Sequence, residues 1–399
     1  MMEIKPILST LLRNKTGAVL IALQIALTMA VVVNAVVVIQ DRAETIAMPT
    51  GVDVDQLIMT RAFTFNDEQN ARAVIDNDLA VLGALPGVQS VTKISTMPLS
   101  NSGSSSTFRA SDADNAISLN LAYYQSDVHA LSTLGLEITR GRWFRDDEVA
   151  YDTDGGYSPT MVVLSDFAAD TMYPDEDPVG KFIYNSLGDA VEVIGTYDQL
   201  SKPWYGWGDF YSTAIFPMVD INAPLVLRVD SDQRDALIPM IDEALTEIDR
   251  ERLVGNTRAH TDIVANTFER DVAMNRMLTV VMTLVVIITA LGIVGLASFS
   301  VMQRRKQIGT RRAIGAQRFH ILRYFLTENW MITTFGIVLG LGLTFALNSL
   351  LINEYNLPKL DPIMLPLAVL GLWAVGLLAT IGPARNAAAV DPAIATRSI

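Results

Sequence analysis

The sequence predicts a four-helix membrane unit joined to a water-exposed α+β domain, and three observations predict it. Half of the residues are hydrophobic and the mean hydropathy is +0.30, both high for a soluble chain. The same 399 residues hold 43 acidic and 30 basic side chains, more than a bundle of spans tolerates in lipid. The charge is also unevenly divided. Residues 41–275 carry 38 acidic and 16 basic side chains, a net of −22, whereas the remainder carries 5 and 14, a net of +9. Cysteine is absent, which excludes disulfide and thiolate–metal frameworks, so the polar domain must hold itself together by its own core.

A membrane helix needs about 20 mostly apolar residues. Four stretches qualify: Ala18–Ile39, Met277–Val301, Trp330–Ile352 and Ile363–Ile381. Their spans are placed at 18–40, 276–302 with a stalk, 328–353 and 362–382. Arg13 and Lys15 precede the first, but its apolar run is longer than a signal peptide's, so it reads as an uncleaved anchor. Lys and Arg in short loops set orientation. Lys5, Arg13 and Lys15 precede span one, Arg304, Arg305, Lys306, Arg311, Arg312, Arg318 and Arg323 crowd the segment 303–327, and Arg385 and Arg397 lie in the tail 383–399. These segments share one side of a four-span chain, which is therefore cytoplasmic, with both termini inside. Segment 41–275 and the short loop 354–361 fall outside.

The outer domain opens on a strand-like alternation through Val52, Val54, Leu57 and Met59. A helix follows over roughly Asp67 to Leu85, stopped by Pro86-Gly87, and then a second strand from Val88 to Met97. The order recurs as Leu225–Val229, Asp232–Ile248 and Arg258–Thr261. Two such units make one split, ferredoxin-like βαβ layer, over about 45–115 and 220–262. A β-rich insertion over about 116–219 separates them, with strands near 160–164 and 190–197. From about Asp262 the helical pattern runs unbroken into span two, as a stalk.

Other features have two readings each. Asn101 to Thr107 is serine-rich, which predicts a plain surface loop ahead of a lid or partner contact. Trp204, Tyr205 and Trp207, beside Phe210 and Tyr211, form either a contact with a periplasmic partner or, more commonly for such aromatics, core or interfacial packing. Gly336 and Gly340 form a GxxxG pair in span three, and Gly292 and Gly295 lie in span two, where small residues let helices approach closely. Gln24 and Asn34 are expected to face protein, and Glu328 to sit at the aqueous edge of span three.

The segment QRRKQIGTRRAIGAQRFHILRYFL, Gln303 to Leu326, resembles the coupling segment of the MacB/FtsX-like ABC permeases. That family includes macrolide and peptide exporters, lipoprotein-releasing permeases and cell-division permeases. Its pattern, a basic stretch and then R-E-I-G-x-x-R-A-x-G-A, is met by Arg304, Arg305, Lys306, Ile308, Gly309, Arg311, Arg312, Ala313, Ile314, Gly315 and Ala316, with Gln307 where the family commonly has Glu. The tail PARNAAAVDPAIATR from Pro383, GRWF at Gly141–Phe144 and the stretch Val162–Ile183 resemble the same family. On the residues themselves, the glycines allow tight turns and the small apolar side chains offer a docking patch. Basic residues alone would do no more than enforce topology; the spacing of Gly, Ala and Arg favours docking.

The resemblance implies a permease subunit of the bacterial inner membrane that works with a separate cytoplasmic ABC ATPase dimer. It implies movement relayed to a periplasmic domain for export of a peptide, antibiotic or lipid-linked substrate. A second permease chain, identical or related, and a periplasmic adaptor with an outer-membrane channel are the further partners. Lipoprotein release and a regulatory or sensing role are the alternatives. The sequence contains no G-x-x-x-x-G-K-[ST], so ATP and magnesium belong to the partner and this chain is expected to have no cofactor and no enzyme activity. His129, His260 and His320 are too scattered to predict a metal site, and nothing predicts nucleic-acid binding.

Overall fold

The computed structural model describes residues 15–65, 70–113, 115–151, 159–206, 208–355 and 359–391. It divides into two compact units, an α+β unit of residues 47–270 and a helical unit made of the residues before and after it. The chain enters the helical unit through α1 (Lys15–Ile46).

The α+β unit then runs β1 (Leu57–Phe63), α2 (Ala71–Gly83) and β2 (Val88–Lys93). Asn70 caps α2 by accepting the Ala73 N–H, and Gly87 after it takes a positive φ of 92° that suits glycine. The middle of the unit holds β3 (Ser104–Arg109), β4 (Ser118–Gln125), α3 (Ala130–Leu134), β5 (Ile138–Gly141), β6 (Ala150–Tyr151), β7 (Met161–Ser165), α4 (Asp166–Met172), β8 (Phe182–Tyr184), β9 (Ala190–Tyr197), β10 (Thr213–Phe216) and β11 (Met218–Val219). It closes on β12 (Leu225–Val229), α5 (Arg234–Ile248) and β13 (Leu253–Ala259).

The outer strands of the unit pair antiparallel in the order β13-β1-β12-β2, the arrangement of a split βαβ layer. Both faces of this sheet are covered, and strand alternation sorts the side chains. Ile58 and Ala62 of β1, with Leu225, Leu227 and Val229 of β12, join Leu82 of α2 and Leu237, Ile241 and Leu245 of α5. Leu57, Met59 and Val226 point the other way, to Tyr124, Tyr197 and Ile215 of the insertion.

The insertion forms a seven-stranded mixed sheet in the order β5-β9-β7-β10-β4-β3-β8, and β8 also pairs with β9, so the sheet closes on itself. Its own core gathers Phe108, Leu121, Val162, Leu164, Val193, Ala214 and Phe216 under α4. Here the structure departs from expectation. The insertion begins at Ser104, not near 116, and the serine-rich stretch is largely strand β3, in antiparallel register with β4 from Ser104–Tyr123 to Arg109–Ser118. Composition favoured a loop because the local side chains are small and polar. The ladder to β4 and burial of Phe108 decide otherwise.

The helical unit continues through α6 (His260–Gln303), which belongs to it from Asp271 onward, then α7 (Arg305–Ala313), α8 (Arg318–Tyr355) and α9 (Met364–Ala388). Helices α1, α6, α8 and α9 are long and apolar enough to cross a membrane, and α1 is the most enclosed of the four while α6 is the least. Gly336 and Gly340 are why α8 lies so close to α1. A Cβ on Gly336 would come 2.9 Å from the Ala22 carbonyl, and one on Gly340 would come 2.9 Å from Met29 Cβ. Gly292 of α6 similarly receives Gln24 of α1, whose Oε1 would lie 2.6 Å from an added Cβ. Gly295 differs: among the described residues nothing lies within 4 Å of an added Cβ, so it packs against none of their helices.

Polar side chains join the helices where lipid offers no partners. Asn34 donates to the Ala30 carbonyl and accepts from Asn348 Nδ2 at 3.2 Å. The Thr28 and Thr289 hydroxyls lie 2.6 Å apart, linking α1 to α6. Asn329 donates to the Gly376 carbonyl at 2.8 Å, linking α8 to α9.

A buried charge cluster sits in the α+β unit. Arg252 grips Asp78 with two hydrogen bonds of 2.6 and 2.7 Å. Lys93 is wholly buried beside them, its Nζ 3.7 Å from Asp78 Oδ2 and without a hydrogen-bond partner. Asp78 is already neutralised, so Lys93 is a surplus cation, and burial lowers its pKa from 10.5 to about 8. Between those two values the unfolded chain holds the extra proton, so this group makes stability rise with pH there and leaves its full penalty below about 8. Lys93→Met is therefore expected to raise the melting temperature of the chain at pH 7 by several degrees, at about 2–4 °C per kcal/mol. The gain should shrink as pH is taken from about 8 towards 10. Thermal unfolding followed across that range measures it, and an unchanged melting temperature at pH 7 would refute the surplus charge.

Candidate coupling site

The helix break between α6 and α7 falls at Arg304, whose φ of −99° and ψ of 10° leave the α-helical range. Its guanidinium turns to α8, where it donates to Glu328 Oε2 at 3.0 Å and lies 3.5 Å from the Tyr324 hydroxyl. Glu328 was expected at a watery edge. It is only 6% exposed, because Arg304 supplies the counter-charge that lets a carboxylate sit inside the bundle.

Helix α7 presents two different faces. Ile308 and Gly309 are buried, with Ile308 packed among Ile321 and Phe325 of α8 and Ala384, Ala387, Ala388 and Val390 at the end of α9. Expected as part of a docking patch, these two residues instead attach the helix to its own chain. Arg312 donates to the Val390 carbonyl, and Arg311 lies over the Tyr324 ring at 5.4 Å from its centroid. The opposite face carries Lys306, Thr310 and Ala313, all exposed, as are Arg305 at the first turn and Ile314 just past the helix end, the latter at 83%.

A Schellman motif ends the helix. Gly315 has a φ of 104°, its N–H bonds to the Arg312 carbonyl at 3.1 Å, and the half-buried Ala316 bonds to the Arg311 carbonyl at 3.0 Å. Glycine is required at this position by its backbone, since an added Cβ would meet open space. The turn leaves Ile314 exposed at the end of a helix that carries four basic residues, Arg305, Lys306, Arg311 and Arg312. Such a face offers contacts to an acidic protein partner and contains no nucleophile–base pair.

The aromatic candidates are placed differently. Trp204 and Tyr205 are half-buried in the α+β unit, Tyr205 against Phe268 with ring centroids 4.8 Å apart. Trp204 lies against Gly103, where an added Cβ would come 3.0 Å from its ring. Trp207 lies outside the described residues. Among the described residues no three His, Asp or Glu side chains gather as metal ligands. Sequence reasoning missed Glu328, Tyr324 and Val390 as the anchors of α7. The one available signal was an isolated carboxylate at the start of an otherwise apolar span beside a cluster of arginines.

Comparison with known proteins identifies both parts of the chain. A family model described as FtsX-like permease C-terminal matches residues 279–392, and one described as MacB-like periplasmic core domain matches residues 18–244. A macrolide export ATP-binding/permease protein MacB of Marinobacter nauticus is 26% identical over 73% of this chain and 45% of its own length. The protein of that name from Chromobacterium violaceum is 26% identical over 65% of this chain and 40% of its own. The chain thus spans under half the length of these relatives. The crystal structure of the periplasmic region of MacB from Actinobacillus actinomycetemcomitans aligns with 56% of this chain and 98% of that one, at 17% identity and a TM-score of 0.34.

The two faces of α7 give opposite expectations for one substitution. Ile308→Asp buries an unpaired carboxylate and should destabilise the helical unit by several kcal/mol, lowering the melting temperature of the detergent-purified chain. Ile314→Asp, on the exposed face, should stay within about 0.5 kcal/mol of the parent. Equal melting temperatures for the two variants would show that α7 is not seated as described.

Proposed function

We infer the function from one premise: the chain belongs to the FtsX-like permease family and carries the MacB-like periplasmic core. It is a membrane-spanning, permease-type protein with a periplasmic domain, and its family domains are not catalytic ones. Beyond that, we propose that it is the permease subunit of an ABC transporter, coupling ATP hydrolysis in a separate cytoplasmic ATPase dimer to movement of its periplasmic domain. The observation that carries this reading is the division of α7. Its inner face is committed to α8 and α9, and its outer face leaves Lys306, Ala313 and Ile314 exposed.

A further fact supports the partner. The relatives are named ATP-binding/permease proteins, which supports an ATPase working with the permease part that this chain matches. ATP and magnesium are then held by the partner. The basic residues of 303–327 support a cytoplasmic α7 and cytoplasmic termini. Two permease chains, identical or related, associate to frame the path, and a periplasmic adaptor with an outer-membrane channel receives the cargo. The cargo is a peptide, antibiotic or lipid-linked molecule, and the relatives' named activity, macrolide export, supports the antibiotic.

Two measurements test this. Ala313→Asp should leave the protein inserted but reduce co-purification with the cytoplasmic ABC ATPase that pairs with it, and with it cargo-stimulated ATP hydrolysis, at least about tenfold. Because the chain contains no cysteine, Ala313→Cys introduces a unique thiol. A membrane-impermeant maleimide should label it only after the cells are opened. Labelling in intact cells, or an Ala313→Asp variant that keeps full stimulated activity, would overturn the proposal.

A further inference from the structure

At the α7 end of the helical unit the helices frame a partly open cavity of about 200 Å³, bounded by the first turns of α1, the last turns of α6, the early turns of α8 and Thr380 of α9. That is room for roughly six waters at about 30 Å³ each, or for a small polar head group. The cavity has walls of two kinds. Ile21, Ile293, Leu296, Phe325 and Ile332 give it an apolar side that continues to Phe299, itself 51% exposed. Ser300, Gln303, Asn329 and the Arg304–Glu328 pair give it a polar side.

The ion pair restricts what this space accepts. Both side chains are largely desolvated, with exposures of 14% and 8%. A simple anion entering here satisfies Arg304 but confronts an uncompensated carboxylate, and a simple cation meets the reverse problem. A zwitterion satisfies both, with its negative group on Arg304 and an N–H-bearing cation on Glu328. Water or a soluble zwitterion has no use for the apolar side, whereas acyl chains do. We propose that the cavity is a head-group site for a phospholipid of the surrounding bilayer that carries a phosphate and a primary ammonium, its acyl chains lying along Leu296 and Phe299. Because Arg304 is also the residue at the α6–α7 break, an occupant of this site holds the orientation of α7.

The test uses the full chain, purified in detergent, stripped of lipid and titrated with defined lipids while bound species are counted by native mass spectrometry. It needs no ATPase, so its result is independent of the function proposed above. Phosphatidylethanolamine should be retained about tenfold better than phosphatidylcholine, which lacks ammonium N–H groups, or phosphatidylglycerol, the worth of one charge-assisted hydrogen bond. Glu328→Gln should erase the preference for ethanolamine over choline. Should that variant fold poorly, Ala297→Phe fills the cavity with the ion pair intact and should abolish retention. Equal retention of all three lipids by the parent, unchanged retention in Ala297→Phe, or displacement of bound lipid by millimolar inorganic phosphate would each overturn the proposal.

Discussion

A helix of nine residues is too short to persist in water by itself, so α7 exists only because its own chain holds it. Arg304 fixes its start to Glu328, Ile308 and Gly309 lie beneath it, and Arg311 and Arg312 attach its last turn to Tyr324 and Val390. Gly315 then closes it with a backbone turn that suits glycine. Every one of these contacts uses the same side of the helix. The outward side is therefore defined by exclusion, and its residues are available to a partner because stability does not require them.

This anchoring also determines where a push on α7 would go. The break at Arg304 separates α7 from α6, while Ile308 and Arg312 tie it to α8 and α9. Helix α8 lies against α1 through Gly336 and Gly340, which seat directly on Ile25 and Met29 of α1. Helix α1 meets α6 through the Thr28–Thr289 hydroxyls, through Gln24 against Gly292 and through the Arg42–Asp271 ion pair. Under the proposed function, displacement reaches α6 by way of α8 and α1, and α1 is the element whose position all the others sense.

The parts legible in the sequence were those set by short-range rules. Apolar run length marked the four long helices, and β-α-β periodicity at both ends of the outer domain marked the split layer. Glycine spacing marked Gly336, Gly340 and Gly315. The parts that were not legible depend on partners far away in sequence. Strand β3 looked like a loop because its serines gain strand character from β4 and from burial of Phe108. Glu328 looked solvated because its counter-ion lies 24 residues earlier, beyond a helix break. Ile308 and Ile314 are chemically alike and six residues apart, yet one is buried and the other bare, and the positions of α8 and α9 separate them. Lys93 was invisible for the same reason, since Asp78 and Arg252 come from separate segments.

The two buried ionic groups show how charge can be carried inside a protein in different ways. In the α+β unit, Asp78 is matched by Arg252 and must also serve the second cation at Lys93, so burial of that group destabilises the fold below about pH 8. The two sheets of that unit share one core through Leu57, Met59, Tyr124 and Ile215, which makes the unit a single block. In the helical unit, Arg304 and Glu328 balance one another next to open space. A balanced pair beside a cavity can exchange its contacts for those of a guest without leaving a net buried charge. That difference favours the first arrangement where the unit must keep its shape and the second where a helix must be able to shift.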